Sequence, residues 1–138
     1  MGQINQLDLG GWQTLLDRST ELFQGMKAGA RIGVLSKDDF EPPAMMVVWE
    51  ATEQGMRAGY EPFAGFEQVK IDLLFIADET TILGMHDPSA GAPFRQIKAK
   101  LRRRDILLYV VKPHRALLES GYENFLDSLG LPVLGTCR

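Results

Sequence analysis

The first regular pattern along the chain is helical. Trp12, Leu15, Leu16, Ser19, Leu22, Phe23 and Met26 recur at three- and four-residue steps. That spacing predicts a first helix, ended by Gly25 and the region of Gly29. Residues 31–36 (RIGVLS) then read as a short strand.

Residues 42–59 carry two patterns at once. Met45, Val48, Trp49, Thr52 and Met56 fit a helical stripe, and Pro42 and Pro43 suit a first turn. The run MMVVW within it is as β-prone as any in the chain. The expectation adopted is a helix, followed by a loop over residues 59–65 (GYEPFAG), where glycine and proline interrupt the pattern.

Residues 69–77 (VKIDLLFIA) begin by alternating and end continuously apolar, as in a strand entering a buried sheet. Asp78 and Glu79 then predict a tight turn, with residues 80–86 returning as a second strand of a hairpin. A loop over residues 87–93 leads to a helix over 94–103. A strand follows over 106–111, and a closing helix from about 113 to 129 with Leu118, Tyr122, Phe125 and Leu129 on one face. Gly130 suits the position just past that helix. The order is α-β-α-β-β-α-β-α. It predicts an α+β (mixed α/β) fold, residues 1–138 forming a single globular domain with helices packed on a mixed sheet.

Composition adds limits. The chain has 138 residues, enough for one real core. No apolar run approaches the ~20 residues needed to span a bilayer, so membrane insertion is not expected. The first twelve residues lack the basic and apolar regions of a secretory signal. Gly2 does not complete a myristoylation pattern, because Gln6 stands where Ser or Thr is needed. One cysteine, Cys137, and two histidines give no internal disulfide and no structural zinc set. A cytoplasmic protein without metal or cofactor is the expectation.

Charge changes the picture most. The net value of −3 hides a segregation. Residues 1–91 carry six Lys/Arg against fourteen Asp/Glu, a balance of −8, and residues 92–138 carry nine against four, a balance of +5. The run RQIKAKLRRR, from Arg95 to Arg104, holds six positive charges and no negative one. With Phe94, Ile97 and Leu101 facing a sheet, Arg95, Lys98, Lys100, Arg102 and Arg103 project outward, and Lys112, His114 and Arg115 extend the ridge. Such a ridge suits an acidic protein surface, self-association, nucleic acid or an anionic nucleotide, or simply a solvated face. The acidic first two-thirds and the lack of interleaved aromatics weigh against nucleic acid.

The loop before the basic helix offers a second candidate. Ser89 or Asp87 suits a cap, and Gly91 permits close backbone approach, so Ser89, Gly91 and Arg95 form a possible anion site; an ordinary capped turn is the simpler explanation and the one favoured. No GxxxxGK[ST] or GxGxxG is present. Asp72, Asp78 and His86 are the only grouping suggestive of acid/base chemistry, because Asp72 and Asp78 share one face of a strand. No GxSxG, HExxH or Cys–His pairing supports hydrolysis, and no catalytic residue is assigned. In GYEPFAGF, Tyr60, Phe63 and Phe66 form a possible docking patch, as does the apolar tail LPVLGTC; folding back onto the body is the favoured reading for both.

The second half also resembles the N-terminal domain of type II secretion and type IV pilus assembly ATPases. The likeness rests on TILGMHDP (residues 81–88), a helix, ILLYVVKP (residues 106–113) and a closing helix through Tyr122. Arg31-Ile32-Gly33 is similar to an Arg-Leu-Gly motif that contacts a cyclic dinucleotide in some members. The sequence departs at Ser36, where that motif continues with leucine, in a missing later glycine and in a shorter spacing to Asp87-Pro88. No ATPase domain is expected, since these residues hold no GxxxxGK[ST]. The resemblance implies an adaptor-like assembly domain. Three classes stay open: an interaction or regulatory protein holding an acidic partner, a binder of nucleic acid or an anionic ligand, and an acid/base enzyme.

Overall fold

A computed structural model describes residues 9–37, 44–63, 65, 70–85 and 93–130. The elements are α1 (Leu9–Asp17), β1 (Arg31–Ser36), β2 (Ala44–Thr52), β3 (Gly55–Phe63), β4 (Leu73–Ala77), α2 (Glu79–Met85), α3 (Pro93–Arg102), β5 (Ile106–Val110), α4 (His114–Glu119) and α5 (Glu123–Ser128). A 3-10 turn, Thr20–Phe23, follows α1. The strands form one sheet in the order β3-β2-β1-β4-β5. β1 is antiparallel to β2 and parallel to β4, and the outer pairs β2–β3 and β4–β5 are antiparallel. This is the expected α+β class with a mixed sheet, although the order of elements differs.

The largest difference lies at residues 42–59. The described part of that segment is no helix but β2 and the start of β3, a hairpin that turns at Glu53 and Gln54. Met46 and Val48 are buried on one face of the sheet while Val47, Trp49 and Ala51 are buried on the other. A strand with both faces covered must be continuously apolar. The helical spacing of Met45, Val48, Trp49 and Met56 was a coincidence within that run. Thr52 Oγ1 accepts the Gln54 N–H at 3.1 Å and bonds the Gly55 carbonyl at 2.7 Å, which fixes the turn. The loop expected at residues 59–65 is shorter too, since Gly59, Tyr60, Glu61, Pro62 and Phe63 belong to β3.

Three further corrections concern helices. Residues 79–85 form α2 instead of a return strand: Asp78 Oδ1 accepts the Thr81 N–H at 2.8 Å, a side-chain cap that starts a helix. The first helix stops at Asp17, and its stripe continues through the 3-10 turn to Phe23. The closing helix is two, α4 and α5, separated at Ser120 and Gly121. There the Tyr122 N–H bonds Leu117 O and the Gly121 N–H bonds Leu118 O, both at 3.1 Å. Gly121 has φ +85°. This is the paired-bond ending of a helix with a left-handed residue just beyond it. Within α4 the packed face runs through Leu117, which is buried, while Leu118 is exposed, unlike the expected face through Leu118.

Two buried clusters lie on opposite faces of the sheet. The first receives a side chain from every described helix: Trp12, Leu15 and Leu16 from α1, Ile82 from α2, Ile97 from α3, Leu117 from α4, Phe125 and Leu126 from α5. Its centre is aromatic, with Trp49 against Trp12, Phe23 and Phe75 at ring separations of 5.9–6.4 Å. The second is built by Leu35, Met46, Val48, Phe63, Leu74 and Ile76 with Ile71, and no described helix contributes to it. Among the described residues, no helix is long and apolar enough to cross a membrane.

A Cβ at Gly121 would run into the Gly25 carbonyl, whereas one at Gly59 would meet nothing within 4 Å. Gly121→Ala is therefore expected to cost at least about 2 kcal/mol, combining left-handed strain and a backbone clash. Gly59→Ala, by contrast, should be neutral or stabilising by up to about 1 kcal/mol. Urea midpoints of the two variants at unchanged m-value test the contrast.

Candidate functional site

Asp72 stands one residue before β4, and the chain converges on it. Its Oδ2 accepts the Arg31 N–H at 3.0 Å and the Tyr122 hydroxyl at 2.7 Å, and its Oδ1 lies 3.4 Å from Lys112 Nζ. The Asp72 carbonyl takes the N–H groups of Val111 and Lys112, and its own N–H donates to Arg31 O. One residue therefore joins β1, β4, the end of β5 and the start of α5. The Tyr122 ring is fully buried, and its hydroxyl also lies 3.1 Å from the Arg31 carbonyl oxygen. Burial, then the bond to Asp72, drives the phenol pKa far above its ordinary value. Tyr122 is thus a permanent donor, and its partner is a buried carboxylate satisfied on both oxygens.

That arrangement differs from a reactive one. Asp78 sits at the far end of β4, and six residues of extended chain separate the two carboxylates by about 20 Å. Asp78 is occupied in capping α2, and the Thr81 bonds hold its pKa below the usual carboxylate range, with Lys37 and Lys100 adding to the effect. The structure does not bring Asp72 and Asp78 together, and His86 lies outside the described residues. Among the described residues, no group of three His, Cys, Asp or Glu is placed to hold a metal ion.

Arg31, on β1, faces Glu50 across the β1–β2 ladder at 3.6 Å and also pairs with Glu61. The bond to Glu61 raises the guanidinium pKa, against the opposing effect of burial. Gly33 is roofed by Met46, Ile71 and Leu74, whose atoms lie 2.9–3.0 Å from where a Cβ would stand. The Arg31-Ile32-Gly33 segment is thus built into the middle of the sheet.

The basic run behaves differently. In α3, Ile97 is fully buried and Leu101 packs against the first cluster. Arg95 and Arg102 are exposed, as are Arg103 and Arg104 beyond the helix; Lys98 and Lys100 are half-buried. The stem of Lys98 lies over Gly130, just past the C-terminus of α5. Arg103 pairs with Asp105 at 3.8 Å, both side chains well exposed, a contact worth little in water. Of the other predicted anion-binding residues, Ser89 and Gly91 lie outside the described residues. Two residues of the aromatic stretch fold onto the body: Phe63 is buried in the second cluster and Tyr60 packs against the first, both as parts of β3. Phe66 and the tail at 131–137 lie outside the described residues.

Two features of this corner were not legible in the sequence. Arg104 has φ +68°, the one non-glycine residue with positive φ among those described. The Asp105 N–H bonds Lys100 O at 2.8 Å and the Arg104 N–H bonds Leu101 O at 3.1 Å, the same ending that Gly121 gives α4. Arginine therefore occupies a place where glycine is the usual residue. Next to it, β5 exposes Leu107 (45%), Tyr109 (42%) and Val110 (56%). The sequence signal for this was the apolar run ILLYV directly after the cations, which reads as core until the strand is known to be an edge.

No family model matches this chain, and no curated protein matches it. Among solved structures, a chain described as "UbiJ-SCP2 Ubiquinone synthesis protein" superposes with a TM-score of 0.48 at 17% identity, covering 89% of this chain and 90% of that one. This is a distant likeness, and nothing about activity follows from it.

Removing the Tyr122 hydroxyl leaves the buried Asp72 carboxylate short of a donor, so Tyr122→Phe should lose about 1–3 kcal/mol, read as a lowered denaturant midpoint. Arg104→Gly should gain about 1 kcal/mol by relieving the left-handed backbone, read as a raised midpoint.

Proposed function

We propose that this protein is a non-enzymatic interaction module that holds an acidic protein partner at the corner where α3 runs into β5. The observation that carries the reading is the juxtaposition of exposed Arg102, Arg103 and Arg104 with exposed Leu107, Tyr109 and Val110. Arginine and tyrosine beside aliphatic surface are what protein interfaces enrich. A surface for phosphates needs cations but has no use for Leu107 and Val110. The left-handed Arg104 supports the same reading: a strained position is retained with a charged side chain where glycine would be more stable. Asp72 and Asp78 support it from the other side, since both carboxylates have structural employment. A cytoplasmic setting accords with the single cysteine.

The test uses a fluorescein-labelled peptide of sequence Glu-Glu-Val-Thr-Val-Thr-Val-Glu-Glu, and separately a 20-base-pair DNA duplex, titrated with the full chain. The peptide should bind, and changing Arg102, Arg103 and Arg104 to Glu should weaken it by about tenfold or more. Tighter binding of the duplex, with a salt slope near −0.9 per phosphate contacted, would assign the corner to nucleic acid instead. Unchanged peptide binding in the triple variant would leave the cations as a solvated face.

A further inference from the structure

We propose that the acidic partner docks as a sixth strand, added along the open edge of β5; this deepens the reading above and rests on it. A five-stranded open sheet has two edges, and the two are treated oppositely. On β3, α1 closes the edge with one side chain. Gln13 Oε1 accepts the Ala58 N–H at 2.9 Å and Gln13 Nε2 donates to Met56 O at 2.8 Å, so the amide pairs with the strand as another backbone would. Pro62 removes a further donor from the same strand. These are devices that stop a sheet from growing.

Among the described residues, β5 has none of them. Its five residues, Ile106–Val110, include no proline, no glycine and no charge. Among the described residues no strand pairs with its outer side. Leu107 and Tyr109 stand opposite Ile76 and Leu74, so they extend the second apolar cluster to the rim of the sheet, while Val110 projects on the other face. An added strand would therefore find apolar neighbours at alternate positions on both faces, with main-chain bonds giving affinity and alternate side chains giving selectivity.

Charge decides the occupant. Arg102, Arg103 and Arg104 precede β5 beside Asp105, and Lys112 and Arg115 follow it, Lys112 also meeting Asp72; all five cations are exposed and each flank stays net positive. A second copy laid antiparallel on β5 would set the arginines of each chain against Lys112 and Arg115 of the other. Laid parallel, it would set arginines against arginines. Both arrangements juxtapose like charges, and the β3 edge of another copy is closed by Gln13. The segment that fits is extended, with a β-prone core of about five residues, some 17 Å long, and carboxylates on both sides of that core.

The experiment compares the peptide above with two versions N-methylated at alternate core residues, one set per edge. All three have the same charge and side chains. Strand addition predicts that one methylated set binds at least tenfold more weakly, the other nearly unchanged, and that the unmodified peptide slows amide exchange across residues 106–110. If both methylated peptides bind as the unmodified one does, the cations hold the partner without strand pairing; the inference fails while the proposed function stands. If no peptide binds at all, both fail. Sedimentation of the chain alone should give a monomer, and a dimer whose formation protects residues 106–110 would give the edge to a second copy and overturn the proposal.

Discussion

The carboxylate of Asp72 is the constraint on which the architecture rests. A buried charge is tolerated only when it is paired and hydrogen-bonded, and this one is satisfied by donors from β1, from the lysine after β5 and from the residue that opens α5. Its backbone extends the same register on both sides. The parallel pairing of β1 with β4, the antiparallel return of β5 and the seating of Tyr122 under the sheet therefore converge on one residue. Hydrophobic burial drives the collapse but is non-directional. Asp72 supplies direction, because each of its donors is in place only when three strands and α5 are correctly aligned.

The same fold contains two helix endings of one geometry and opposite chemistry. After α4 the left-handed residue is Gly121, pressed so closely on Gly25 that no side chain fits. After α3 it is Arg104, at the surface. Packing dictates the first choice. Packing does not dictate the second, where glycine would serve the backbone better. Strain retained without a packing reason gathers where a surface is used, and here it coincides with the most cationic stretch of the chain and with its most exposed apolar strand.

Much of the fold was legible because it rests on local periodicity. The strands at residues 31–36 and 106–111, and the amphipathic α3 between the last loop and β5, follow from spacing alone. Residues 42–59 misled because a strand buried on both faces has no alternation, and four apolar residues with Thr52 happened to fall at helical steps. Residues 80–86 misled because Thr80, Thr81 and Ile82 are β-prone, although Asp78 three residues before Thr81 carried a capping signal. The site was less legible. Asp72 looks like a catalytic carboxylate until Tyr122, fifty residues away in sequence, is seen to bind it. Gln13 gives no hint that it serves a strand more than forty residues distant. Whether ILLYV is core or rim depends on which strand lies last in the sheet, and that is a property of topology, not of the run itself.

The clasp of Gln13 on β3 has a consequence for stoichiometry. A sheet with two open edges is divalent and can propagate without limit, and a sheet with none is inert. With the β3 edge occupied from within its own chain, β5 is the one sheet edge left unpaired among the described strands. Under strand addition, one partner segment would sit directly on each chain, and copies of the chain would have no second edge of their own through which to link.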